Sequence, residues 1–150
     1  MPEYPVENRG LEEKLFITLV RTIQEMPALQ KMGIRVAYLA PGRAGFEMTV
    51  DPGYSNTRGT AHGGLIAAFV DTVMGYAGIT LDLMLVTLEM NINYFFSVKV
   101  GERVTAESEV LHAGRKTVVT EAKVFDSRNR LVSKSRGTYF PVDKISNMIP

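Results

Sequence analysis

The sequence predicts an α+β domain in which an antiparallel sheet of about five to six strands wraps around one long helix, and three observations carry that prediction. Residues 65–77 are apolar on every face of a 3.6-residue spiral, with only Asp71 and Thr72 plainly polar, as in a helix buried on most sides. From residue 86 onward, apolar and polar residues alternate in successive runs, the mark of half-buried strands. Short turns join those runs, which suits antiparallel pairing and leaves no room for the helical crossovers of a parallel sheet.

Ahead of the buried helix, Leu11, Leu15, Leu19, Ile23 and Met26 recur at helical spacing, Phe16 and Val20 widen the stripe, and Pro27 stops it. This predicts an N-terminal helix over 11–26 that lies across the core. Residues 34–40 and 44–50 read as a hairpin turned by Pro41-Gly42-Arg43, with Phe46, Met48 and Val50 alternating against Glu47 and Thr49. Asp51-Pro52-Gly53 closes it and opens a polar, glycine-rich loop, Asn56-Thr-Arg-Gly-Thr-Ala-His-Gly-Gly64, which feeds a helix over about 63–81. A long strand over 86–96 follows, then strands over 103–111, 117–125 and 131–140, with 1–10 and 141–150 expected as tails of one domain spanning 1–150. A single sheet leaves one side of the central helix open, so a second copy of the chain is expected to cover it.

Composition narrows the function. At 150 residues, 45% hydrophobic and 22% charged, the chain suits one globular domain. The net charge is +1 and the basic residues are scattered, so the positive field of a nucleic-acid binder is missing. Without cysteine there is no disulfide, thiolate metal site or cysteine nucleophile, as in a reducing compartment. The N-terminus lacks a charged-then-apolar leader, and the apolar run after His62 is too short for a bilayer and holds a charge. The expectation is a cytoplasmic protein with no membrane partner.

Asp71 is the residue that asks for an explanation, because a carboxylate inside a buried helix is costly unless it is partnered or used. Two turns before it, Gly63 and Gly64 stand at the helix start, where backbone N–H groups and the helix dipole face outward and glycine permits close approach. His62 is one of only two histidines, too few for a histidine-rich metal site, and is expected to orient the loop with Asn56.

The pattern Asn56-x-x-Gly59-x-x-His62-Gly63-Gly64 followed by Asp71 resembles the hotdog-fold acyl-CoA thioesterases, in particular the PaaI-type group of the phenylacetate pathway. Supporting matches lie at 39–44, 87–94 and 110–116, so the resemblance covers about residues 32–139. It implies a hotdog fold and a homodimer, often a dimer of dimers. Sheets join edge to edge, and each of two sites takes its carboxylate from one subunit and its Asn/His-Gly loop from the other. It also implies an acyl-CoA substrate, with coenzyme A only as part of it and neither cofactor nor metal. Ser97-Val98 departs from the proline that relatives often carry after the long strand, a difference confined to a turn.

Under that resemblance Asp71 acts as general base or nucleophile, and Gly63, supported by Gly64, polarises the thioester carbonyl. Asn56 holds the loop or binds the thioester oxygen. Thr87 bonds the attacking water, although strict alternation puts it on the face opposite Leu88 and Met90, so it reaches the site only if the strand start is bulged or frayed. Arg115 and Lys116, with Arg58 as a weaker candidate, would clamp phosphates of coenzyme A or form solvated turns. Phe69, Tyr76 and Leu85 would line the acyl pocket or belong to the core. Two rivals stay open: an acyl-CoA-binding hotdog domain without turnover, which gives no reason to bury Asp71, and an enoyl-CoA hydratase, which would pair Asp71 with a histidine further along the helix.

Overall fold

The computed structural model describes residues 4–149. Seven strands and three α-helices are present among them: β1 (Glu7–Asn8), α1 (Glu13–Glu25), α2 (Pro27–Met32), β2 (Ile34–Ala40), β3 (Arg43–Thr49), α3 (Gly63–Ile79), β4 (Met84–Tyr94), β5 (Arg103–Ala113), β6 (Val118–Phe125) and β7 (Leu131–Asp143). The strands form one sheet in the order β1-β2-β3-β5-β6-β7-β4, antiparallel except for the β1–β2 pair. α3 packs across its concave face and buries Phe69, Val70, Val73, Met74 and Ala77 against Phe46, Val104, Val118 and Val124. Fully burying a side chain the size of Val, Met or Phe contributes about 1.5–3 kcal/mol, so the helix–sheet contact fixes where α3 points.

Departures from the expected elements have local causes. β1 is a seventh strand inside the expected N-terminal tail; it lies parallel to β2, and α1 and α2 supply the crossover such a pair needs. Pro27 ends α1 but also opens α2 from its first position, where its missing N–H costs nothing, and Gly33 closes α2 with φ 69°. Glu12 caps α1 by accepting the N–H groups of Lys14 and Leu15 at 2.9 and 3.0 Å. The C-terminal residues are not a loose tail as far as Ile149. β7 continues to Asp143, and Ser146 donates its N–H and hydroxyl to Asp82 at 2.7 Å each.

Two surfaces stay open. β4 pairs only with β7, so one edge of an 11-residue strand is unpaired among the described residues. On α3, the stripe Gly64, Ala67, Ala68, Asp71, Thr72, Gly75 and Ile79 is exposed or half-buried, so the helix is not enclosed on every face within one chain.

Candidate active site

The loop before α3 is built by its own side chains. Asn56 Oδ1 accepts the N–H groups of Arg58 and Thr60 at 2.9 and 3.2 Å, and its Nδ2 donates to the Thr60 hydroxyl at 2.8 Å, so every polar atom of this side chain serves the turn. Ala61 N–H donates to Val98 C=O at 2.7 Å and fastens the loop beside the segment that follows β4. His62 then caps α3: its backbone is extended (φ −60°, ψ 135°) and its Nδ1 accepts the Gly64 N–H at 2.9 Å. With Nδ1 accepting that bond, Nε2 is the ring nitrogen left to face outward from the cap.

Gly63 occupies the first helical position, and among the described residues nothing accepts its N–H. Its carbonyl accepts the Tyr94 hydroxyl at 2.8 Å, tying the start of α3 to the end of β4. A cleft of about 290 Å³ opens here, lined by Asn56, Arg58, Gly63, Ile66, Tyr94, Phe95, Phe96 and Ser133 among others. A free N–H at the positive end of a helix dipole is suited to an oxygen that gains charge.

Asp71 lies on the half-exposed stripe of α3, eight residues further on, which at 1.5 Å per residue is about 12 Å along the axis. Its Oδ1 accepts two hydroxyls, Thr87 Oγ1 at 2.9 Å and Tyr139 OH at 2.9 Å. Thr87 reaches it through a bulge. Thr87 pairs with Tyr139 and Glu89 with Thr138, so Leu88 is left over and Thr87 turns to the same face as Met90. Thr87 therefore holds the carboxylate directly. Tyr139, which sequence reasoning missed, is 2% exposed, and its phenol proton is held far above its ordinary range, first by burial and then by the negative charge of Asp71 and the bond donated to it. The available signal was Gly137, a glycine in a strand interior two residues before an aromatic on the same face.

The other predicted residues fall elsewhere. Phe69 is fully buried, and Tyr76 packs tilted against Phe46 with ring centroids 5.7 Å apart, its phenol pushed up to about 12 by burial. Leu85 is half-buried against Gly78, where a Cβ would come within 2.4 Å of Leu85 Cδ1. Arg115 borders a separate cleft with Leu83, Gly114, Pro141 and Asp143, and Lys116 is exposed beside it. Among the described residues no group of three or more His, Asp or Glu side chains converges as a metal would need, and no helix is long and apolar enough to cross a membrane.

The model of the thioesterase superfamily matches residues 58–133. Acyl-coenzyme A thioesterase 13 of Homo sapiens is 31% identical over 108 residues, covering 70% of this chain and 77% of that protein. The structure of the E. coli PaaI protein, from the phenylacetic acid degradation operon, shows the same fold with a TM-score of 0.84 at 23% identity, across 90% of this chain and 98% of that one. A hypothetical thioesterase of Streptococcus pneumoniae TIGR4, solved with coenzyme A, has a TM-score of 0.72 at 29% identity over 74% and 90% of the two chains. Two variants of that protein, an aspartate and a threonine each replaced by alanine, have also been solved. Those two positions stand 16 residues apart, the separation of Asp71 and Thr87 here. On the match through the His-Gly-Gly loop, α3 and most of the sheet, the chain belongs to the thioesterase superfamily and has its hotdog fold.

Proposed function

We propose that the chain hydrolyses acyl-CoA thioesters in a homodimer whose two sites each combine Asp71 of one subunit with the Gly63 loop of the other. The observation that carries this reading is the placement of two complementary halves on one helix about 12 Å apart. One is an N–H with no acceptor among the described residues, the other a carboxylate clamped by two hydroxyls. A thioester presents its carbonyl oxygen and its reacting carbon one bond apart, so one molecule cannot meet both halves of the same chain. A second copy docked along the unpaired β4 edge and the small-residue stripe of α3 brings the opposite halves together.

In such a site the carbonyl oxygen accepts the Gly63 N–H and carbon becomes electrophilic. Water adds to that carbon as Asp71 takes its proton, or the carboxylate adds first and water then hydrolyses the mixed anhydride. Either way the carbon–sulfur bond breaks and coenzyme A leaves as a thiolate that collects the proton. His62 and Asn56 hold the loop in register; Arg58, at the Gly63 cleft, and Arg115 and Lys116, at and beside the separate cleft, are the cations this reading assigns to the phosphates. Exposed Leu111, Phe140 and Val142 leave further apolar surface for pairing dimers.

The test is thiol release across a panel of aromatic, short branched and long-chain acyl-CoAs together with acyl carrier protein thioesters, in which a cysteine-free protein adds no background. Turnover of at least one member is expected, reduced about 10²- to 10⁴-fold in Asp71→Asn with folding intact. Binding without release from any member would favour the non-catalytic reading, and near-normal turnover by Asp71→Asn would remove the carboxylate from the mechanism.

A further inference from the structure

Tyr139 is placed beneath α3 by two glycines. It stands on β7 opposite Val118 on one side and Thr87 on the other, so its ring faces the helix. A Cβ at Gly137 would come within 2.9 Å of Tyr139 Cε2 and 3.2 Å of Met74 Cε, contacts that could not persist without movement of the ring. At Gly75, one turn after Asp71, a Cβ would stand 3.6 Å from Tyr139 Cε1, so the helix passes close over the ring. The phenol oxygen then lies 2.9 Å from Asp71 Oδ1 and 3.1 Å from the Asp71 carbonyl oxygen. With one proton to give, it favours the charged acceptor.

Asp71 Oδ1 therefore receives two hydroxyl donors, Tyr139 and Thr87, while Oδ2 has no partner among the described residues. The last torsion of an aspartate is a broad, nearly two-fold rotor, so an unclamped carboxylate would present either oxygen at many angles. Two donors from two different strands remove that freedom. We propose that Tyr139 is a positioning residue of this hydrolase: with Thr87 it pins Oδ1, so that Oδ2 is the oxygen that takes the water proton or attacks the thioester carbon. The proposal rests on the hydrolytic reading above and assigns a role to a residue outside it. The tyrosine is suited to the part because its proton stays on oxygen throughout the working range, held there by burial and by Asp71. Among the described residues Asp71 is the one charged group bearing on the phenol, with the hydroxyls of Thr120 and Thr87 beside it.

The test compares wild type with Tyr139→Phe, which keeps the ring in its slot and deletes only the donor, and with Gly137→Ala, which keeps the donor and displaces the ring. For Tyr139→Phe the expected result is kcat lower by about 10- to 100-fold, KM within about 3-fold and cooperative melting retained. Gly137→Ala should lower kcat in the same direction. A Tyr139→Phe enzyme with wild-type kcat would overturn the proposal, even if its melting temperature fell, since a purely structural tyrosine gives that pattern. Wild-type protein inert toward every thioester would instead remove the hydrolytic reading on which the proposal stands, so the two failures are distinguishable.

Discussion

Replacing Gly63 by proline isolates one atom of the site. The N–H of the first residue in a helix has no intrahelical acceptor, and the neighbouring Gly64 N–H is already taken by His62 Nδ1, so Gly63 carries the donor that the proposed mechanism assigns to the substrate oxygen. Proline is well suited to this position because its fixed φ is helical and its missing N–H breaks no protein hydrogen bond. His62 already has the extended backbone that a residue before proline must adopt. The atoms nearest a Cβ at 63 belong to the Tyr94 side chain and come no closer than 3.5 Å, which is ordinary contact. Stability should therefore change by no more than about 1 kcal/mol. Loss of one oxyanion donor should lower kcat by about 10²- to 10³-fold, or about 2.7–4 kcal/mol of barrier. Gly63→Ala, which adds the same Cβ but keeps the N–H, is the control and should stay within a few-fold of wild type. The assay is steady-state thiol release beside a thermal melt. Gly63→Pro with an unchanged melt and turnover within about 3-fold of wild type would refute the assignment of the oxyanion to this N–H.

Two further predictions concern the frame around the site. Gly78→Ala should cost about 1–3 kcal/mol by overpacking, read as a lower melting temperature, because the new Cβ would meet Leu85 Cδ1 at 2.4 Å and Val118 Cγ1 at 3.4 Å. Asp126 closes the β6–β7 turn by accepting the N–H groups of Arg128 and Arg130 and the Arg130 guanidinium, which hold its carboxyl below the ordinary 3.8. A depressed native value contributes stability above the unfolded value and loses it as pH falls through the native one. Asp126→Asn should therefore be less stable near neutrality and show a shallower loss below about pH 4 in denaturant melts; parallel curves for the two proteins would contradict this.

What the sequence revealed and what it hid follow from the range of the interactions. The loop, the cap and the apolar helix are local, and their chemistry is written in consecutive residues from Asn56 to Ala77. Thr87 was legible only conditionally, since alternation assigns it the wrong face and a bulge at Leu88 restores it. No pattern of period two announces a bulge, because one extra residue leaves the types on either side unchanged. Tyr139 was invisible because its partner Asp71 lies 68 residues away and the contact requires the β4–β7 register. β1 is two residues long, too short for any periodicity to register. Asn56 had two readings, and its bonds to Arg58 and Thr60 support the loop-holding one.

The division of each site between two subunits is the central claim, and mixing two inactive variants tests it most directly. Asp71→Asn and Gly63→Pro are each expected to be nearly inactive as homodimers, since every site then carries one defect. After denaturation and refolding together at equal amounts, half of the dimers are mixed. In each of these, one site combines the intact Asp71 of the proline subunit with the intact Gly63 of the asparagine subunit. The account predicts recovery to about a quarter of wild-type specific activity, from one working site in half of the dimers. A mixture that stays at the level of the separate variants would contradict the shared site and place Asp71 and Gly63 of one chain in the same reaction.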